Sequence, residues 1–372
     1  MKPTSDRVAF FLPLLVGAGA ERVMLNLAHG FVGQGMKVDF VLGKAEGPFL
    51  SQLPEGARLV DLKSSRVLTS IPGLVRYLRN EHPMALISAL DHANIAALWA
   101  KRLAGVKTRI VITLHNTVSE KMKITPMFSR KKLFPFMLRR FFPGASEIVA
   151  VSNGVASDYA NVTGIPLEQF KVIYNPVVTP EILEKAAEPL DHPWFNSKEP
   201  PVIISVGRLT EQKHYACLID AFAKVREKQP ARLMILGEGE LRPDLEKQIS
   251  ELNLNEDVDL PGFVMNPYKY VRNAAVFALS SKWEGLPTVL IEALAVGAAV
   301  VSTNCRSGPE EILMGGTLGT LVPVDNISEL ASAIVGCLNN EKIPLEKETL
   351  KRYEPDWAVN EYLKVVEGES FG

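Results

Sequence analysis

The chain has 372 residues, 47% of them hydrophobic and 22% charged, with 41 basic and 42 acidic side chains for a formal net charge of -1. This composition excludes a disordered or fibrous protein, and the length exceeds what one core usually supports, so two domains of roughly 150 to 200 residues are expected. The charge balance excludes any general attraction to nucleic acid or to an anionic membrane, leaving local patches as the only route to such contacts.

Lys2 and Arg7 precede the apolar run 8–16, and Ala18-Gly19-Ala20 imitates a signal-peptidase site. A secretion signal is set aside, because Asp6 interrupts the basic region and cleavage would remove the first strand of a repeating strand-helix pattern. Short continuous apolar runs, the mark of strands covered on both faces, occur at 8–12, 37–42, 59–62, 85–89, 109–114, 147–151 and 171–173, with helical patterns between most of them. The stretch 176–201 holds Pro176, Pro180, Pro189, Pro193, Pro200 and Pro201 and reads as the hinge. A second series of strands follows at 202–206, 232–236, 258–260, 276–279, 300–302 and 318–322. The expected architecture is α/β, with two doubly wound, Rossmann-like parallel sheets whose ligand loops face each other across a cleft. The boundaries are 1–180 for the first domain, 196–355 for the second, and 356–372 for a helix crossing back to the first. No stretch reaches the roughly 20 apolar residues that span a bilayer, since 289–301 is short and contains Glu292. Cys217, Cys305 and Cys337 lack metal or redox spacing and read as buried reduced thiols in a cytoplasmic protein.

The strongest local signal is Trp283-Glu284-Gly285-Leu286-Pro287-Thr288-Val289-Leu290-Ile291-Glu292. Pro287 suits a first helical turn, which puts Glu284 in the loop ahead of an apolar helix over 289–301 and Glu292 on it. Two carboxylates so spaced can grip a polyhydroxylated ligand, with the amides of Thr288 and Val289 offered to phosphate between them. Two solvated glutamates are the alternative. A second signal is the strand 202–206 ending in Gly207-Arg208, with Lys213 five residues beyond the arginine. A guanidinium can clamp phosphate oxygens while an ammonium acts as a mobile point charge; surface cations paired with Glu211 are the alternative. His115 ends the strand 109–114, and Asp91, His92 and Asn94 follow the strand 85–89 as acceptor-side candidates. Gly17-x-Gly19 and Gly237-x-Gly239 meet Arg22 and Arg242 where a dinucleotide fingerprint needs glycine. Asp257-Val258-Asp259 imitates a metal-binding D-x-D without further ligands near it in sequence.

Taken together, Val206-Gly207-Arg208 with Lys213, the Glu284/Glu292 pair and Ser307-Gly308-Pro309-Glu310-Glu311-Ile312 resemble the family 4 (group 1) retaining glycosyltransferases of GT-B fold. The match is thinner in the first half, through 17–22, Thr113-Leu114-His115 and Tyr174-Asn175-Pro176, and the family's G-G-A-E stands here as Ala18-Gly19-Ala20-Glu21. The resemblance implies that Arg208 and Lys213 bind a donor diphosphate, Glu292 the ribose, and Glu284 the transferred sugar. It also implies that Val264 lies beside the base, Gly19 approaches the phosphates, and His115 orients the sugar. The donor is then a nucleotide diphosphate sugar, with uridine the implied base, used without a cofactor or an essential metal. The acceptor is a saccharide or a lipid-linked glycan. The segment 128–143, with five basic residues, five phenylalanines and no acid, reads either as an anionic-membrane surface or as a core helix with snorkelling cations. Rival functions are a sugar-nucleotide epimerase of similar fold and a non-catalytic sugar-nucleotide-binding subunit.

Overall fold

A computed structural model describes residues 6–15, 19–123, 134–339 and 346–368. They form two compact units, Met1–Val177 with Arg352–Gly372, and Val178–Lys351. The first unit is built on a parallel sheet of β1 (Arg7–Leu12), β2 (Lys37–Leu42), β3 (Arg58–Asp61), β4 (Ala85–Ala89), β5 (Arg109–Leu114), β6 (Glu147–Ala150) and β7 (Phe170–Val172), in the order β3-β2-β1-β4-β5-β6-β7. Its helices are α1 (Gly19–Gly33), α2 (Ile71–Glu81), α3 (Asp91–Ala104), α4 (Val118–Lys123), α5 (Phe134–Phe141) and α6 (Asn153–Thr163).

The second unit begins with α7 (Pro180–Ala186), inside the stretch read as hinge, because α7 packs on a helix of this unit. Its strands are β8 (Val202–Val206), β9 (Arg232–Leu236), β10 (Val258–Gly262), β11 (Val276–Leu279), β12 (Ala299–Thr303) and β13 (Thr320–Val322), paired in the order β10-β9-β8-β11-β12-β13. The remaining helices here are α8 (Tyr215–Lys228), α9 (Arg242–Glu251), α10 (Tyr268–Asn273), which receives α7, α11 (Thr288–Ala295), α12 (Pro309–Ile312) and α13 (Ile327–Asn339). The last helix, α14 (Pro355–Glu367), belongs to the first unit.

Alternation along β1 shows why these runs are apolar throughout. Val8, Phe10 and Leu12 enter one core with α1 and α14, while Ala9 and Phe11 are equally buried outside that cluster. In the same core Val23, Met24, Leu27 and Phe31 of α1 meet Ala358, Val359, Tyr362, Val365 and Val366 of α14. In each sheet the strand order reverses beside the first strand, between β1 and β4 and between β8 and β11. Crevices at such reversals, at the C-terminal ends of the strands, are where open α/β sheets bind ligands.

Candidate active site

In the second unit, β8 and β11 are neighbours, with Val276 opposite Ile203 and Phe277 opposite Ile204. This pairing joins two loops that are about 70 residues apart in sequence. Ser280 Oγ donates to the Lys213 carbonyl at 2.8 Å, the Lys282 amide to the Gln212 carbonyl at 2.9 Å, and Gln212 Nε2 to the Trp283 carbonyl at 3.0 Å. So tied, Lys213 Nζ reaches Glu284 Oε1 at 2.7 Å, with side-chain exposures of 16% and 7%. Ser281 Oγ donates to the same oxygen at 2.7 Å, and Gln212 Nε2 to Oε2 at 3.2 Å. Sequence reading missed Gln212 and Ser281. Their only signal is a pair of small polar residues closing the apolar strand β11 and an amide next to the lysine.

Gly207 is required by contact. A Cβ there would stand 2.8 Å from Tyr215 Oη and 3.0 Å from Lys213 Cε, so any side chain displaces the lysine or a buried ring. The Gly237-x-Gly239 signal has a structural cause, since a Cβ on Gly237 would meet the Gly207 carbonyl at 2.0 Å. Arg208 is exposed on the same loop, one residue past Gly207. His214 follows Lys213 and lies 2.7 Å from Asp325; burial and then the charge of Lys282 hold its imidazole below the ordinary value, against the pull of Asp325.

Around Glu284 the loop is braced by Ser307, whose Oγ donates to the Gly285 carbonyl at 2.7 Å. Pro287 stands one residue ahead of α11 rather than inside it, and its carbonyl takes the Leu290 amide. The first amides of α11, on Thr288 and Val289, point out of the helix start. The expected helix over 289–301 is shorter: α11 ends at Ala295, Gly297 turns the chain with φ of +80°, and β-branched Val300 and Val301 enter β12. Glu292 is accordingly half-buried on a two-turn helix. Val264 is half-buried just past β10, between exposed Phe263 and Met265. Asp257 accepts from Arg226 Nε at 2.8 Å and lies 3.3 Å from Arg232, tying α8 to β9. Among the described residues no group of three His, Cys, Asp or Glu could hold a metal ion.

In the first unit, Gly19 opens α1, and apart from its chain neighbours and its own helix backbone no atom of the described residues lies within 4 Å of the place a Cβ would take; Gly17 and Ala18 lie outside the described residues. His115 is half-buried past β5, with Nε2 2.9 Å from Thr113 Oγ1. His92 is exposed at the start of α3. Asp91 is buried and receives the Tyr159 hydroxyl. Asn94 is fully buried between Ser88 and the Thr113 carbonyl, so it braces β4 to β5 from inside rather than facing an acceptor. Burial raises the thiols of Cys217, to about 11, and of Cys305; Cys337 departs from the expectation by being only half-buried.

Residues 188–354 match the family Glycosyl transferases group 1, and residues 17–180 match Glycosyltransferase Family 4. Over 349 residues, 91% of this chain and 92% of the relative, the sequence is 35% identical to the N-acetylgalactosamine-N,N'-diacetylbacillosaminyl-diphospho-undecaprenol 4-alpha-N-acetylgalactosaminyltransferase of Campylobacter jejuni. The chain is a family 4 (group 1) glycosyltransferase. This glycosyltransferase is also 24% identical, over 97% of its length and 98% of the relative, to the GalNAc-alpha-(1->4)-GalNAc-alpha-(1->3)-diNAcBac-PP-undecaprenol alpha-1,4-N-acetyl-D-galactosaminyltransferase of the same organism. Its fold is GT-B, shared with Anabaena HepE, solved with UDP and glucose, at a TM-score of 0.75 and 19% identity over 97% of this chain and 99% of that one.

Proposed function

We propose that this glycosyltransferase moves a hexose or N-acetylhexosamine from a UDP-sugar to a saccharide on a lipid-linked diphosphate carrier, with retention of configuration and without an essential metal. The observation that carries this is the assembled Lys213–Glu284 pair at the reversal between β8 and β11. A lysine fixed beforehand by a buried carboxylate can meet the charge that grows on a departing diphosphate, together with Arg208 and the amides of Thr288 and Val289. Glu284 and Glu292 then serve as acceptors for sugar and ribose hydroxyls, Val264 adjoins the base, and Gly19 gives the phosphates close approach. The bond from the sugar C1 to phosphate oxygen breaks, a bond to the acceptor oxygen forms on the same face, and the acceptor proton passes to the departing phosphate. His115 orients the sugar.

The activity of the 35%-identical Campylobacter relative, an N-acetylgalactosaminyltransferase acting on a diphospho-undecaprenol-linked saccharide, supports the lipid-linked acceptor class. So does the surface of α5, where Phe136 and Met137 are exposed beside Arg139 and Arg140 while Leu138, and Phe142 just past the helix, are buried; residues 128–133 lie outside the described ones. A groove of about 850 Å³ continues this surface, with Trp99, Lys101, Arg102, Arg140 and Phe141 among its lining and no acidic residue among the described ones. We place the enzyme peripherally on the cytoplasmic face, on the strength of this basic and aromatic surface; no described helix is long and apolar enough to cross a membrane.

A thermal-shift screen of nucleotide sugars tests the donor, since a ligand at 100 times its Kd stabilises by about 2.7 kcal/mol. The matching donor is then offered with a polyprenyl-diphosphate saccharide, and the product anomer is read by NMR. An inverted product overturns the retaining mechanism. On anionic vesicles, Arg139→Gln with Arg140→Gln weakens binding roughly thirtyfold at about 1 kcal/mol per charge; unchanged binding removes this surface from the proposal.

A further inference from the structure

The groove of about 850 Å³ between the end of α3 and the end of α5 has the volume of a small-ligand pocket rather than of a flat docking face. Lys101 and Arg102 line it from α3 and Arg140 from α5, with the Trp99 and Phe141 rings 5.3 Å apart beside them. Lys101 is half-buried, and the partner it reaches is a neutral hydroxyl, Ser146 Oγ at 3.4 Å, which also takes the Ile110 amide. Burial, and then the charge of Arg109, hold this ammonium below the ordinary lysine value. Glu147, next to Ser146 in sequence, is already shared by Arg109 and Lys171, at 3.1 Å each. Cations at the end of a helix commonly answer its exposed carbonyls. Here Arg79 does that from α2, donating to the Leu103 carbonyl at 2.8 Å and the Ala104 carbonyl at 3.2 Å. The positive charge in the groove therefore exceeds what the described residues neutralise, and an entering anion would relieve both the desolvation of Lys101 and its repulsion from Arg109.

The apolar side chains around the groove select the kind of anion. Trp99 and Leu103, one turn apart on α3, are exposed, as are Phe136 and Met137 on α5. A free phosphate leaves all four in water, whereas a phospholipid offers them the acyl and glycerol layer next to its phosphate. We propose that the groove between α3 and α5 binds the phosphate of an anionic phospholipid headgroup, with Lys101, Arg102 and Arg140 around the phosphate and Trp99 and Leu103 in the interfacial layer. This deepens the peripheral placement proposed above and rests on that reading for its ligand class; it adds a saturable pocket for one lipid to a diffuse attraction between charges.

The test uses the full chain in two assays, calorimetric titration with dihexanoyl phosphatidylglycerol below its critical micelle concentration, and cosedimentation with vesicles that contain phosphatidylglycerol. The short-chain lipid binds in a single saturable step, and Lys101→Gln and Arg102→Gln each weaken it about fivefold. Lys107→Gln removes an equal charge from outside the lining and stays within about twofold of wild type. Equal losses at Lys101 and Lys107, or no short-chain binding by the wild type, overturn the pocket, and the vesicle assay then reads separately whether the peripheral placement stands. Short-chain binding without vesicle binding keeps the pocket and removes the placement. Dihexanoyl phosphatidylcholine bound as tightly overturns recognition of the anion, and inorganic phosphate that displaces the lipid at equal concentration overturns the lipid as its source. No arm contains a sugar donor, so a chain that transfers no sugar leaves this result untouched.

Discussion

Replacing Glu284 by glutamine keeps its volume and removes its charge. The wild-type carboxylate satisfies Lys213, Ser281 and Gln212 at once. The amide can keep its oxygen toward Lys213 and Ser281, but then turns an NH2 group toward the NH2 of Gln212. Breaking a buried ion pair costs about 3–5 kcal/mol. The ammonium keeps 16% of its exposure and the carboxylate 7%, so water recovers part of that, and about 3 kcal/mol is expected. Urea unfolding followed by tryptophan fluorescence suits the measurement, because Trp194 and Trp283 lie in the second unit and Trp283 adjoins the pair. Lys213→Met alone leaves the carboxylate uncompensated and costs a similar amount. The double variant leaves neither charge exposed to the other's absence, so the two losses fall short of adding, with a coupling of at least about 1 kcal/mol. Additive losses, or a Glu284→Gln variant within about 0.5 kcal/mol of wild type, refute the pair as the device that fixes Lys213.

Gly207→Ala forces its new methyl against the buried Tyr215 hydroxyl and Lys213 Cε, and the flexible lysine yields first. The expected result is on the order of tenfold weaker donor binding by thermal shift, with a stability loss of about 1–3 kcal/mol; unchanged affinity refutes the contact as decisive. In the first unit, Asp39 receives Arg7 at 2.6 Å, Arg58 at 2.6 Å and the Tyr77 hydroxyl at 2.6 Å. Burial works to raise its pKa, yet the hydrogen bonds from Arg58 and Tyr77 and the charges of Arg7 and Arg58 prevail and hold it below the ordinary carboxylate value. A lowered folded value means stability present above the unfolded value of about 3.9 and lost as pH falls through the folded one. Asp39→Asn therefore flattens the acid limb of a stability curve measured from neutral pH downward, and parallel curves for variant and wild type refute this.

Strands were the most legible feature of the sequence, because a doubly covered parallel strand is a near-continuous apolar run flanked by turn chemistry, Asp39 in β2 being an exception held by Arg7, Arg58 and Tyr77. The expected helix over 289–301 runs too long for the same reason, since a run with Glu292 as its one polar residue carries too little period to separate α11 from β12, and Gly297 is the turn signal between them. Lys213 and Glu284 could each be nominated from a local motif. Their union could not, because it depends on β8 pairing with β11, and Gln212 and Ser281 acquire a purpose only once the loops meet. Asn94 shows the converse error: a polar residue at a strand end resembles a ligand group until its partners, Ser88 and Thr113, are found beneath it.

The return of α14 to the first unit sets an order of assembly during synthesis. Residues 178–351 form a contiguous unit that can complete itself as it leaves the ribosome, whereas the face of α1 that takes Ala358, Val359, Tyr362, Val365 and Val366 stays uncovered until α14 has followed it out. The unit begun first is thus completed after the second, and in the interval its open apolar face is a target for chaperones.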